Sequence, residues 1–227
     1  MNIAIIPARK GSKRIKNKNR ILLHGKPLIY WTIKAAKKTN LFSNVYVDTD
    51  CNKIKKLALR YGAEVPFLRK KKYSSDTTSV NLSSYQFVKR IKKIFSVEIK
   101  NVFQLMPNCP FRNEKDIISA YKKFKNFQSK SLISHIKFYF SNPWWAVKTK
   151  NRKIERIFKE AYKKRSQDLP QLLTPSGAIW IVDCREFLKK KTFYLENYDY
   201  LLLDWKNGID IDTAEEMKIV KNLKFKL

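Results

Sequence analysis

Asn2-Ile3-Ala4-Ile5-Ile6-Pro7-Ala8-Arg9-Lys10-Gly11-Ser12-Lys13-Arg14, with Lys16-Asn17-Lys18-Asn19 behind it, is the stretch whose reading decides the fold. Its first part is a short apolar run rich in β-branched residues, the pattern of a strand buried in a parallel sheet. Pro7 has no amide hydrogen, so the ladder is expected to stop there. The loop that follows holds one glycine, one serine and six basic residues, Arg9, Lys10, Lys13, Arg14, Lys16 and Lys18. Open α/β sheets bind ligands at the carboxyl ends of their strands. A loop of backbone amides and cations at that place suits a polyphosphate.

Gly11-Ser12-Lys13 looks like part of a P-loop, but that motif needs an earlier glycine and a lysine directly before Ser or Thr. Neither is present. The plainer alternative is a solvated basic loop in a lysine-rich chain. Against it, the loop follows the first strand directly, and Gly11 and Ser12 interrupt its cations.

Composition sets the bounds. A chain of 227 residues with 44% hydrophobic and 13% aromatic residues predicts one globular domain over 1–227. No signal region and no run long enough for a membrane span stands out. Cys51, Cys109 and Cys184 lie far apart without a CxxC, so neither a disulfide framework nor a zinc site is indicated. A reducing, cytoplasmic setting is expected. The net charge of +30 would ordinarily raise a nucleic-acid reading. Here the lysines are spread along the chain among many Asn, Ile, Phe and Tyr, and no reading motif accompanies them. No nucleic-acid and no membrane partner is therefore expected. The charge should still draw anionic substrates at long range.

Taken in order, Gly25-Lys26-Pro27 ends the basic region and starts a helix containing Leu28, Trp31 and Ile33. Asn44 to Val47 reads as a strand ending at Asp48, followed by a helix from Cys51 to Tyr61 closed by Gly62. Glu64 to Leu68 reads as a short edge strand because of Pro66. Ser74 to Ser79 opens a helix running to about Phe95. Asn101 to Met106 is a buried strand, Pro107 to Arg112 a rigid loop, and Glu114 to Phe124 a helix. Ser131 to His135 and Gly177 to Val182 are further strands. The alternation predicts an α/β fold, a mostly parallel sheet with helices on both faces.

Between 136 and 175 the rhythm breaks. Phe138, Tyr139, Phe140, Trp144 and Trp145 cluster there, and about forty residues is too long for an ordinary connection. The segment reads as an inserted arm whose aromatics suit a subunit contact. Near the end, Asp210 and Asp212 alternate with Ile209 and Ile211, which puts both carboxylates on one side. Side by side they repel unless a cation or proton intervenes. An oxygen-ligand site for Mg²⁺, completed by phosphates and water, resolves the conflict. The competing reading is that Asp212 or Thr213 merely caps the last helix.

Ile5 to Arg14 with Lys18-Asn19 resembles the signature of the acylneuraminate cytidylyltransferases, the CMP-sialic acid synthetases. Ala63 to Arg69 with Ser75-Asp76-Thr77, Leu105 to Arg112, Gln167 to Pro170 with Gly177-Ala178-Ile179, and Ile209 to Asp212 keep the family's order. The resemblance spans nearly the whole chain. It implies a nucleotide-diphospho-sugar transferase type of fold, a homodimer that exchanges the arm, and activation of a nine-carbon keto-sugar acid by CTP. It implies Arg9, Ser12, Lys13, Lys18, Asn19, Arg69 and Ser79 as nucleotide-binding residues and Asp210 and Asp212 as Mg²⁺ ligands. Arg9, Lys18 and Asp210 become the residues expected to carry catalysis.

Departures fall on the sugar side. The family carries glutamine where Met106 stands, and a lysine of the arm is replaced by Trp145, while the arm's arginine is present as Arg165. Met106, Trp145 and Arg165 are accordingly expected to meet the sugar. No aspartate lies near Met106-Pro107, where relatives using an eight-carbon sugar acid bind metal, so the nine-carbon branch is favoured. A sugar such as legionaminate or pseudaminate fits as well as N-acetylneuraminate. The alternative function is a nucleotidyltransferase acting on another sugar or alcohol.

Overall fold

Strand β1 (Asn2–Pro7) forms where the β-branched run predicts it and ends at Pro7. A computed structural model describes residues 1–127, 129–139 and 141–224 of the chain. After β1 come the two-residue strands β2 (Leu22–Leu23) and β3 (Lys26–Pro27), then helix α1 (Leu28–Lys38), strand β4 (Asn44–Asp48) and helix α2 (Asn52–Arg60). Helix α3 (Val80–Phe95), strand β5 (Asn101–Gln104), helix α4 (Glu114–Asn126) and strand β6 (Ser131–Lys137) follow. The short strands β7 (Val147–Lys150) and β8 (Lys153–Arg156) lead to the long strand β9 (Leu173–Asp183) and helix α5 (Cys184–Lys190). Strand β10 (Asp199–Leu202) and helices α6 (Trp205–Gly208) and α7 (Ala214–Asn222) close the described chain.

The main sheet has the order β10-β6-β9-β5-β1-β4. Strand β1 pairs in parallel with β4 and β5, and β10 pairs in parallel with β6. Strand β9 alone runs against its neighbours β5 and β6. The sheet is thus mostly parallel, with one reversed strand in its middle.

Alternation along β1 decides the layers. Ile3 and Ile5 join Phe87, Val88 and Ile91 of α3 and Phe187 of α5 in one core. Ala4 and Ile6 join Ile29 and Ile33 of α1, Ile54 and Ala58 of α2, and Ile117 and Ala120 of α4 in the other. Helices cover both faces. Each of these isoleucines of β1 is fully buried, worth about 1.5–3 kcal/mol relative to exposure.

Glu64 to Leu68 does not form a strand. Glu64 alone bridges Tyr46 at the outer edge of the sheet, its amide on Val45 O and its carbonyl accepting from Val47 N. Pro66 cannot donate, and the chain leaves the edge there.

Between Lys137 and Leu173 the chain departs from the β6–β9 pair. It forms the β7–β8 hairpin, with Asn151 and Arg152 both at positive φ as a two-residue hairpin turn requires. The hairpin is exposed throughout. Phe140 lies outside the described residues. A third, smaller core of Ile15, Leu23, Leu28, Phe111, Ile211, Met217 and Val220 fastens the basic loop to the last segment of the chain. That packing brings the two ends of the sequence to one place.

Candidate active site

The chain passes from β1 to β4 on one side of the sheet and to β5 on the other, so the loops after β1 and β5 diverge. Such a switch point opens a crevice at the carboxyl edge of the sheet. A cleft of about 710 Å³ lies there. Arg9, Ser12, Lys13, Arg14, Lys18 and Asn19 form one wall, and Arg69, Tyr73, Ser75, Asp76, Thr78 and Ser83 face them. Met106, Pro107 and Asn108 line it beside Gly177, Asp210 and Asp212.

The basic wall is held by carboxylates. Arg9 and Lys13 both pair with Asp76, at 2.6 and 2.9 Å. Hydrogen bonds from Lys13 and Arg9 hold the Asp76 carboxyl below its usual range. Arg69 is committed elsewhere, its Nε and Nη2 on buried Asp48. Burial raises the Asp48 carboxyl despite the charge of Arg69. Asn19 is buried, donates to Arg9 O at 3.3 Å, and has an unpartnered Oδ1.

At the other end of the cleft, Lys18 Nζ donates to Asp212 Oδ1 at 2.7 Å and to Ile211 O at 2.9 Å. Arg14 reaches Asp212 Oδ2 at 2.7 Å and Asn108 donates to Oδ1 at 3.1 Å. Burial pushes Asp212 up, but the hydrogen bond and charge of Lys18 with the charge of Arg14 outweigh it and leave the carboxyl lowered. Asp210 shows the opposite balance. Burial raises it, hydrogen bonds from Cys109 and Gly177 only partly compensate, and the like charge of Asp212 adds to the rise. Thr213, not Asp212, caps α7, in a reciprocal box with Glu216. Asp212 is thereby left to the cleft.

Beneath the carboxylates lies Arg112, 1% exposed, with Nη1 donating to Ala178 O at 2.7 Å and Met106 O at 3.3 Å. Its Nε and Nη2 have no hydrogen-bond partner, and burial lowers the guanidinium to about 10. Pro175, Trp180 and Tyr194 form an apolar wall next to Met106. Trp180 and Tyr194 meet edge to face, with centroids 5.2 Å apart, and burial pushes the Tyr194 phenol up to about 12.

The cleft therefore gathers Arg9, Ser12, Lys13, Lys18, Asn19, Arg69, Met106, Asp210 and Asp212. Ser79 is not among its lining residues. Its hydroxyl caps α3 by accepting from Leu82 N at 3.2 Å. Trp145 and Arg165 stay on the arm, Trp145 45% exposed and Arg165 paired with Asp168 at 2.8 Å, and neither lines this cleft. One chain does not bring them to Met106. Asp76 and Gly177 line the site from within the motifs Ser75-Asp76-Thr77 and Gly177-Ala178-Ile179 though no role is expected of them, and Trp180 and Tyr194 line it because contacts distant in sequence put them there.

Residues 3–170 match the family model described as Cytidylyltransferase. The pseudaminic acid cytidylyltransferase of Campylobacter jejuni is 31% identical over 225 residues, covering 98% of this chain and 95% of its own. The CMP-N,N'-diacetyllegionaminic acid synthase of Legionella pneumophila is 30% identical over 223 residues, 97% of this chain and 95% of its own. The N-acylneuraminate cytidylyltransferase of Escherichia coli is 28% identical over 236 residues, 99% of this chain and 52% of its own. Among solved structures, a CMP:2-keto-3-deoxy-manno-octonic acid synthetase complexed with CTP superposes with a TM-score of 0.70 at 16% identity, covering 97% of this chain and 96% of that one. At that identity the likeness speaks for the fold.

Proposed function

Because the chain belongs to the cytidylyltransferase family and is a nucleotidyltransferase, we propose that it activates a nonulosonic acid with CTP, giving the CMP-sugar and pyrophosphate. The observation that carries this is the cleft itself, with the cations Arg9, Lys13 and Lys18 along one wall and Asp210 and Asp212 at its end. An anion seated between Arg9 and Lys13, as Asp76 is, supports these two residues as the triphosphate seat.

The anomeric hydroxyl attacks the α-phosphate in line and gives up its proton to water; the new phosphorus–oxygen bond forms as the bond to the bridging oxygen breaks and pyrophosphate leaves. Arg9, Lys13 and Lys18 neutralise the charge gathering on the leaving group, the part of phosphoryl transfer a protein does best. Asp210 and Asp212 fit a hard divalent cation such as Mg²⁺. Both offer carboxylate oxygens to the same cleft, and the like charge of Asp212 raises Asp210. When bound there, the cation would supply charge neutralisation and a lower pKa for a coordinated hydroxyl. Neither histidine competes as a base. His135 is buried with Nδ1 at Ile133 O, His24 meets Leu223 O, and neither lines the cleft.

The apolar wall of Met106, Pro175, Trp180 and Tyr194 favours an acceptor less hydroxylated than N-acetylneuraminate, of the legionaminate or pseudaminate kind. Two copies of the chain complete the enzyme, with the arm of each carrying Trp145 and Arg165 toward the other's Met106. The long departure of the arm and its exposed Ile154, Ile157 and Phe158 support that arrangement. Pyrophosphate release from CTP, measured with a panel of acceptors, tests the reading. Release that depends on a nonulosonic acid supports it; release with ribitol phosphate, or from another nucleotide in preference to CTP, refutes it.

A further inference from the structure

Asp210 does not sit in the cleft wall unaided. Its Oδ1 accepts from Cys109 Sγ at 2.7 Å, and its Oδ2 accepts from the Gly177 amide at 3.2 Å. Cys109 is fully buried. Gly177 leaves the room: a Cβ there would come to 2.7 Å from Asp210 Oδ1 and 3.0 Å from Met106 Cγ. The two donors also stand on backbone that is tied together. Met106 N donates to Gly177 O at 3.2 Å, and the Arg112 guanidinium holds Met106 O and Ala178 O from below. A carboxylate gripped at both oxygens by donors from two pinned segments has one orientation available.

We propose that Cys109, with the Gly177 amide, is a positioning residue for Asp210, fixing the carboxylate so that its remaining lone pairs face the cleft for a divalent cation. This rests on the reading of Asp210 as a metal ligand. The role belongs to the S–H as a donor. A thiol donates weakly, and a hydroxyl at the same Cβ donates better. Serine should therefore serve where alanine cannot. The contribution is to ligand orientation, which the supporting contacts of a metal site control.

The test is a calorimetric titration of Mg²⁺ into protein and CTP without any acceptor, so that nothing turns over. Wild type is compared with Cys109→Ser, Cys109→Ala and Asp210→Asn. Cys109→Ser should bind Mg²⁺ within about twofold of wild type, and Cys109→Ala about five- to tenfold more weakly, the scale of one ordinary hydrogen bond, as suits a weak thiol donor. In turnover assays the Cys109→Ala loss should fall on the Mg²⁺ midpoint, with kcat recovered at saturating Mg²⁺. Wild-type affinity in Cys109→Ala, or equal weakening in the serine and alanine variants, overturns the proposal. Asp210→Asn separates the two readings, because undiminished Mg²⁺ binding there removes Asp210 as a ligand whatever Cys109 does. If Cys109→Ala fails to fold, the infrared S–H band lost between wild type and Cys109→Ser decides. It should lie at lower wavenumber than an unbonded thiol band and move up in Asp210→Asn; an unmoved band overturns the proposal.

Discussion

Asp76 holds the position on which the basic end of the cleft turns, a carboxylate shared by Arg9 and Lys13 where the proposed triphosphate would lie. Replacing it with asparagine removes a competing anion, so Asp76→Asn should tighten CTP binding by about two- to fivefold, the range of an exposed ion pair. Fluorescence or calorimetric binding checks this, and weaker binding would make Asp76 a support for the loop instead. The pH dependence follows from its lowered pKa. The pairing stabilises the fold fully above the unfolded carboxyl value of about 3.9 and fades as pH falls through the lower folded value. The stability gap between wild type and Asp76→Asn should thus shrink on acidification through that window, as read from denaturant midpoints. Gly177→Ala acts at the opposite end of the cleft. Its Cβ would meet Asp210 and Met106, so it should cost about 1–3 kcal/mol of stability by overpacking. Activity should fall more than stability does.

Helices and strands were legible where the physics is local. The run Ile3 to Ile6, the cap at Ser79 and the positive φ of Gly62 each declare an element within a few residues. The direction of β9 did not show, because side-chain alternation is the same for parallel and antiparallel pairing. Helix α5 is short and ends in the lysines Lys189 and Lys190, which read as an exposed run; its cap, Asp183, is also the last residue of β9. Ser79 caps α3, and the cap alone accounts for its hydroxyl's contact with Leu82 N. Ser79→Ala should cost about 1 kcal/mol, the usual worth of such a cap, and leave KM for CTP unchanged. A rise in KM without loss of stability would return Ser79 to the nucleotide.

For the whole molecule, the site was half legible. Its basic loop and its paired aspartates stand in compact motifs at the two ends of the chain. Tyr194 reaches the cleft only through the folded sheet and no local pattern announces it, while Arg112 stands inside the Leu105 to Arg112 motif without a sign that its guanidinium would form the floor. The arm was legible as an excess of chain between β6 and β9. If two copies complete the enzyme, Ile154→Glu with Ile157→Glu on the exposed arm should turn a dimer into a monomer by sedimentation and cut turnover at least tenfold. A monomeric wild type would refute the shared site. The central claim is tested most directly by ³¹P NMR of the reaction of the purified protein with CTP, Mg²⁺ and, in turn, pseudaminate, legionaminate and N-acetylneuraminate. The account predicts one new phosphodiester resonance and one equivalent of pyrophosphate, formed faster with pseudaminate or legionaminate than with N-acetylneuraminate. CTP left intact with all three acids would contradict it.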